Sequence, residues 1–101
     1  MVVFGEQADK ELSSLPDGLK VKLLALLKLA QDMGLSAIPP KRRKHLRNDI
    51  WEFRVDALEG TARALYFTRG EQITIAVVFV KKTKRTPVYI IDLAEKRQKE
   101  A

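Results

Sequence analysis

IWEFRVDALEGTARALYFTRGEQITIAVVFV, residues 50–80, contains three runs rich in β-branched and aromatic residues, 50–58, 61–68 and 72–80. Glu59-Gly60 and Arg69-Gly70-Glu71 separate them with hairpin-turn chemistry, so the stretch predicts a three-stranded antiparallel meander. Side chains alternate along a strand, which puts Trp51, Phe53 and Val55 on a core face and Ile50, Glu52, Arg54 and Asp56 on the other. In the second run Arg63, Leu65, Phe67 and Arg69 alternate with Ala62, Ala64, Tyr66 and Thr68, and in the third Lys81 shares a face with Phe79 and Val77. This alternation lets Arg54, Arg63 and one of Lys81 or Lys82 meet on one open cationic face beside Leu65 and Phe67. Cross-strand ion pairing of Arg54 and Arg63 with Glu52, Asp56 or Glu59 is the structural alternative.

Upstream, Val2-Val3-Phe4 reads as a short strand, and Ala8, Leu12 and Leu15 recur at helical spacing before Pro16. Asp17 is placed to cap a longer helix whose apolar stripe is Leu19, Leu23, Leu26, Leu27, Ala30 and Met33, ended by Gly34. After Pro39-Pro40, KRRKHLRND is a polar, basic approach to the meander. Downstream, Thr86-Pro87 reads as an N-cap followed by Pro at the first helical position. The expected order is β-α-α-β-β-β-α, an α+β fold with a helical hairpin and an antiparallel meander, all within one domain, residues 1–101.

The net charge of +6 is unevenly placed. Residues 1–40 carry four Lys against five acids, while 41–69 carry eight Lys or Arg against four and 70–101 seven against four. A positive surface built by the later part of the chain suits a polyanion such as nucleic acid. There is no cysteine and only one histidine, His45, which leaves no Cys/His zinc set, so neither metal nor small-molecule cofactor is expected. MVVFGEQADKE has acids where a signal peptide has cations, and Lys20, Lys22, Lys28 and Asp32 interrupt the apolar helix. A cytoplasmic protein with no membrane partner is the expectation.

LRNDIWEFRV, TARALYF and VVFVKKTKRTPVYIIDLAEKR together resemble the RelE superfamily of toxins from bacterial toxin–antitoxin pairs, in its phage-derived HigB-like branch. The resemblance rests on Leu46 with residues 50–54, Arg63 with Leu65-Tyr66-Phe67, and Phe79 with Lys81, Lys82, Thr83, Arg85, Thr86 and Pro87. It implies the same small α+β fold, with the N-terminal helical hairpin packed on a curved antiparallel sheet, and an endoribonuclease that cleaves mRNA in the decoding site of a translating ribosome. It also implies a cognate antitoxin, a HigA-like helix-turn-helix protein, that holds the activity off.

The implied chemistry is a metal-free transesterification in which a 2′-hydroxyl attacks the adjacent phosphate. Arg54 and Arg63 are then expected to clamp the scissile phosphate, because a guanidinium matches phosphate oxygens in pairs. Related toxins place His or Tyr at the end of the last strand, where this chain has Lys81 and Lys82. A lysine crowded by cations and partly desolvated has its pKa lowered and can exchange protons, so Lys81 or Lys82 is the candidate acid–base group, with His45 second. Lys41, Arg42, Arg43, Lys44, His45 and Arg47, together with Lys84 and Arg85, are expected to contact nucleic acid, the last two as loosely held docking cations. Tyr66 and Tyr89 are expected in the core. The same superfamily holds ParE-like members that inhibit DNA gyrase without cleaving RNA and inactive members that only bind an antitoxin. A plain RNA-binding domain is a third class, disfavoured because Trp51, Phe53 and Tyr66 are committed to packing.

Overall fold

The computed structural model describes residues 1–82 and 84–101; Thr83 of the strand-end motif lies outside them. The chain forms β1 (Val2–Phe4), α1 (Glu6–Ser13), α2 (Asp17–Met33), short 3-10 turns at Leu35–Ala37 and Pro40–Arg42, β2 (Arg43–Arg47), β3 (Ile50–Ala57), β4 (Gly60–Arg69), β5 (Gln72–Lys81) and α3 (Val88–Glu100). The strands make one sheet in the order β1-β5-β4-β3-β2. The expected meander is its centre, with β3, β4 and β5 antiparallel. No helix of the described residues is long and apolar enough to cross a membrane.

The α+β expectation holds, with two additions. The first strand pairs with β5 in parallel, Val2 opposite Ile73 and Phe4 opposite Ile75. The basic approach is itself a strand, β2, paired antiparallel to β3 with Arg43 opposite Phe53 and His45 opposite Trp51. An edge strand exposes one side to water and needs no apolar alternation, and cations there discourage pairing with other chains. Asn48, at φ 51°, makes the tight turn into β3 that lets the polar run fold back.

Both faces of the sheet are covered. Leu19, Leu23, Leu27 and Ala30 of α2, with Ala8 and Leu12 of α1, bury Phe53, Val55, Ala62, Ala64 and Tyr66. The Phe53 and Tyr66 rings stack with centroids 4.1 Å apart. On the opposite face α3 inserts Ala94 over Ile50, Leu65, Phe67 and Val77. Leu65 and Phe67, expected beside an open cationic face, are therefore roofed by α3, and only the part of that face beyond the helix remains open. The stripe on α2 stops early: Leu26 is half-buried and Met33 is 67% exposed.

The register between β4 and β5 shifts at Leu65/Tyr66, which face Val77 and Ile75, so Ala76 is an extra residue in β5. The bulge inverts the alternation of the strand beyond it. Ile73 and Ile75 face the helical hairpin, yet Val77 faces α3. Arg97 of α3 donates to the Ala76 carbonyl at 2.8 Å and pairs with Glu11 of α1 at 3.0 Å, while Glu11 accepts the Val78 N–H at 3.0 Å. These contacts satisfy the edge of β5 where β1 has ended.

Neither expected helix cap forms. The α2 helix begins at Asp17 without a side-chain cap, and the Gly18 N–H instead donates to Glu59 from the β3–β4 turn at 2.9 Å. The C-terminal helix likewise has no side-chain cap, because the Thr86 hydroxyl is engaged elsewhere.

Candidate active site

Arg54 on β3 and Arg63 on β4 are cross-strand partners, so both side chains leave the same face of the sheet. Lys81 lies opposite Thr61 on β5 and shares that face with Phe79 through the shifted register. Lys44 of β2 lies opposite Glu52 and adds a cation from the edge. With Pro40, Lys41, Arg43 and Lys84, these residues line a groove of about 300 Å³. Among the described residues, the lining holds seven cations and a single acid, Glu52.

That acid is already neutralised from below. Glu52 is 2% and Arg63 4% exposed, and Arg63 Nη1 donates to Glu52 Oε1 at 2.8 Å and Oε2 at 2.7 Å. The same nitrogen donates to Thr86 Oγ1 at 2.6 Å, and the Thr86 hydroxyl donates to Glu52 Oε1 at 2.8 Å. Arg63 Nη2 donates to the Lys84 carbonyl at 3.1 Å. The guanidinium expected to clamp phosphate is thus turned inward, and the structural alternative of a cross-strand pair with Glu52 is what forms. It makes the floor of the groove, not its accessible wall.

Arg54 is different. Its side chain is half exposed, and its Nε stands 3.6 Å from Asp56 Oδ1, an ion-pair distance too long for a hydrogen bond. Asp56 is committed elsewhere: it accepts from the Thr61 hydroxyl at 2.6 Å and from Arg42 at 2.8 Å. The Thr61 hydrogen bond first, and Arg42 second, hold its pKa down to about 2. Because this folded-state value lies below the ordinary carboxylate range, the stabilisation is present above about pH 4 and is lost as pH falls toward 2. Urea denaturation across that interval should show the stability gap between wild type and Asp56→Asn narrowing as the solution is acidified. A gap independent of pH would contradict the assignment.

Of the two terminal lysines of the strand, Lys81 enters the groove, while Lys82 is exposed outside it. Desolvation lowers the Lys81 pKa, and the neighbouring charges of Arg63 and Arg54 lower it further. His45 is outside the groove: its Nε2 is 2.6 Å from the Asn48 carbonyl and its ring lies against Trp51, centroids 5.0 Å apart. Arg43 stands over the same indole at 4.6 Å while also lining the groove. Arg42 pairs with Asp56, and Arg47 binds Asp92 and Glu95 of α3, with Asn48 also on Glu95 at 2.6 Å. These two cations fasten the β2–β3 hairpin to its surroundings. Arg85 is exposed and does not line the groove.

The tyrosines divide. Tyr66 is fully buried, and burial raises its pKa, whereas Tyr89, expected in the core, is 71% exposed on the first turn of α3. Sequence reasoning passed over Glu52 and Thr86 as site residues. A glutamate between two aromatics in a strand is poor strand chemistry, and that was the available signal.

Residues 10–99 match the model of the family described as phage-derived protein, Gp49-like. The chain belongs to the phage-derived Gp49-like family. It is a RelE-superfamily toxin of toxin–antitoxin systems. Among solved structures, this Gp49-like toxin is similar to the RelBE2 toxin–antitoxin complex of Mycobacterium tuberculosis, at 25% identity over 82% of this chain and 92% of that chain, with a TM-score of 0.54. It is also similar to the free RelE toxin of Escherichia coli with two arginines replaced by alanine: 18% identity, 96% and 95% coverage, TM-score 0.64. The isolated RelE toxin of the same organism gives 15% identity, 95% and 97% coverage and a TM-score of 0.59. The last two likenesses carry the fold alone. Comparison with curated protein sequences gives no match.

Proposed function

We propose that this toxin is a ribosome-dependent mRNA endonuclease whose catalytic groups are Arg54 and Lys81. One observation carries the reading: a groove in which Arg54 and Lys81 face a space ringed by cations, over a floor where Glu52 is already paired with Arg63. In the reaction the substrate's own 2′-oxygen forms a bond to phosphorus as the bond to the 5′-oxygen breaks. The products are a 2′,3′-cyclic phosphate and a 5′-hydroxyl. Charge grows on the phosphoryl oxygens, where the Arg54 guanidinium can hold two of them. Lys81, with its lowered pKa, takes the proton from the 2′-hydroxyl, and Lys41, Lys44 and Lys84 hold the flanking backbone.

The departing 5′-oxygen takes its proton from water, since among the described residues of the groove there is no imidazole and the Glu52 carboxylate is held by Arg63. On this reading the ribosome holds the mRNA in an attack-ready geometry, and the toxin acts in the cytoplasm. A HigA-like helix-turn-helix antitoxin fits as the partner that covers the groove. Controlled expression followed by mapping of mRNA 5′ ends tests the reading. New 5′ ends within translated codons are expected within minutes of induction. Intact mRNA with a DNA-damage response would overturn it in favour of gyrase inhibition.

A further inference from the structure

We propose that Thr86 is a positioning residue: through Arg63 it pins the segment 84–86 to the sheet and so makes Lys84 a fixed member of the cleavage groove. The inference rests on the nuclease reading and adds a residue to it. Thr86 is 9% exposed and its hydroxyl works in both directions, accepting from Arg63 at 2.6 Å and donating to Glu52 at 2.8 Å. A threonine before a helix ordinarily directs its hydroxyl to the first turn, yet α3 has no side-chain cap. The hydroxyl has been taken from the helix and given to the floor of the groove.

The second anchor is on the same guanidinium. Arg63 Nη2 donates to the carbonyl of Lys84 at 3.1 Å, two residues before Thr86. One buried cation therefore grips the chain at both ends of a three-residue segment, and the carboxylate of Glu52 fixes that cation in turn. Hydrogen bonds of a buried charge tolerate little misalignment, so the backbone of Lys84 is held to the sheet that carries Arg54 and Lys81. Lys84 lines the groove with them. Its side chain keeps its rotamers, but the point from which it swings does not move.

Thr86→Val tests this, because it keeps the shape and removes the hydroxyl; Thr86→Ser restores the hydroxyl, and Lys84→Ala removes the group being positioned. Three readouts are needed: single-turnover cleavage in saturated ribosome complexes, ribosome affinity, and the rate of trypsin cleavage after Lys84 and Arg85 well below the melting temperature. Thr86→Val should slow single-turnover cleavage by roughly tenfold or more, with affinity little changed, and speed trypsin cleavage. Thr86→Ser should return both toward wild type. In the Lys84→Ala background, Thr86→Val should add little further loss, since both act through one side chain. Full additivity in the double variant, or a Thr86→Val protein with wild-type cleavage and wild-type trypsin resistance, would overturn the proposal. If the wild-type protein leaves ribosome-bound mRNA intact, the nuclease reading fails, and unchanged trypsin resistance in Thr86→Val would then refute the pinning on its own.

Discussion

Glu52→Ala should lower the stability of the fold by about 3–5 kcal/mol, since it leaves the buried Arg63 guanidinium without its counter-ion and Thr86 without its acceptor. For a domain of this size that corresponds to a fall in Tm of roughly 15 °C or more. Removing both charges is a different case. Replacing Glu52 and Arg63 together by methionine takes away the cost of burying two ions, so the double variant should recover much of the loss in thermal or urea denaturation. A double variant no more stable than Glu52→Ala would show that the pair is not what makes the single substitution costly. Arg63→Ala should likewise fail by unfolding and not by losing a phosphate contact, which distinguishes the buried arginine from the half-exposed one beside it.

Arg54→Ala should slow single-turnover cleavage of mRNA in saturated ribosome complexes by roughly a hundredfold, with ribosome affinity and Tm little altered. Arg54→Lys should recover only part of the rate, because an ammonium cannot hold two phosphoryl oxygens in the geometry of a guanidinium. Lys81→Ala should have a comparable effect, and the pH dependence separates the two roles. If Lys81 removes the 2′-proton, the wild-type rate rises with pH until the lysine is neutral, below the ordinary lysine value because of desolvation and the two arginines. A purely electrostatic Lys81 would give the opposite slope, the rate falling as the ammonium loses its charge. A pH-independent loss confined to binding in both variants would remove Arg54 and Lys81 from the chemical step.

How far the sequence reveals this site depends on what each residue answers to. The meander was legible because its apolar residues alternate with period two and its turns carry Gly60 and Gly70. The convergence of Arg54, Arg63 and Lys81 on one face followed from the same alternation. It also needed the Ala76 bulge, which no local signal announces. The β2 strand escaped because an edge strand of four basic residues and a lone Leu46 has no apolar period to read, although Asn48-Asp49 marked the turn after it. Thr86 shows a deeper difficulty. Its local context, a threonine before Pro87, favours a cap, and only the long-range arrival of Arg63 and Glu52 reassigns the hydroxyl. Arg63 was misplaced for a related reason: composition reads it as a surface cation, and its burial depends on a carboxylate eleven residues away on the neighbouring strand.

The docking run 41–47 also sorts by partner. Lys41, Arg43 and Lys44 line the groove, whereas Arg42 and Arg47 are bound to Asp56 and to the acids of α3. A cation engaged within the protein contributes less to counter-ion release when RNA binds, so the salt dependence of ribosome binding should follow the first set and not the second.

The central claim is that the groove of Arg54 and Lys81 cleaves mRNA held on a ribosome. Its most direct test mixes purified protein with ribosomes programmed by end-labelled mRNA and analyses the fragment ends within a single turnover. Cleavage in the decoding site, leaving a 2′,3′-cyclic phosphate and a 5′-hydroxyl, and absent on naked RNA of the same sequence, is the predicted result. Intact ribosome-bound mRNA, or equally fast cleavage of the naked strand, would contradict it.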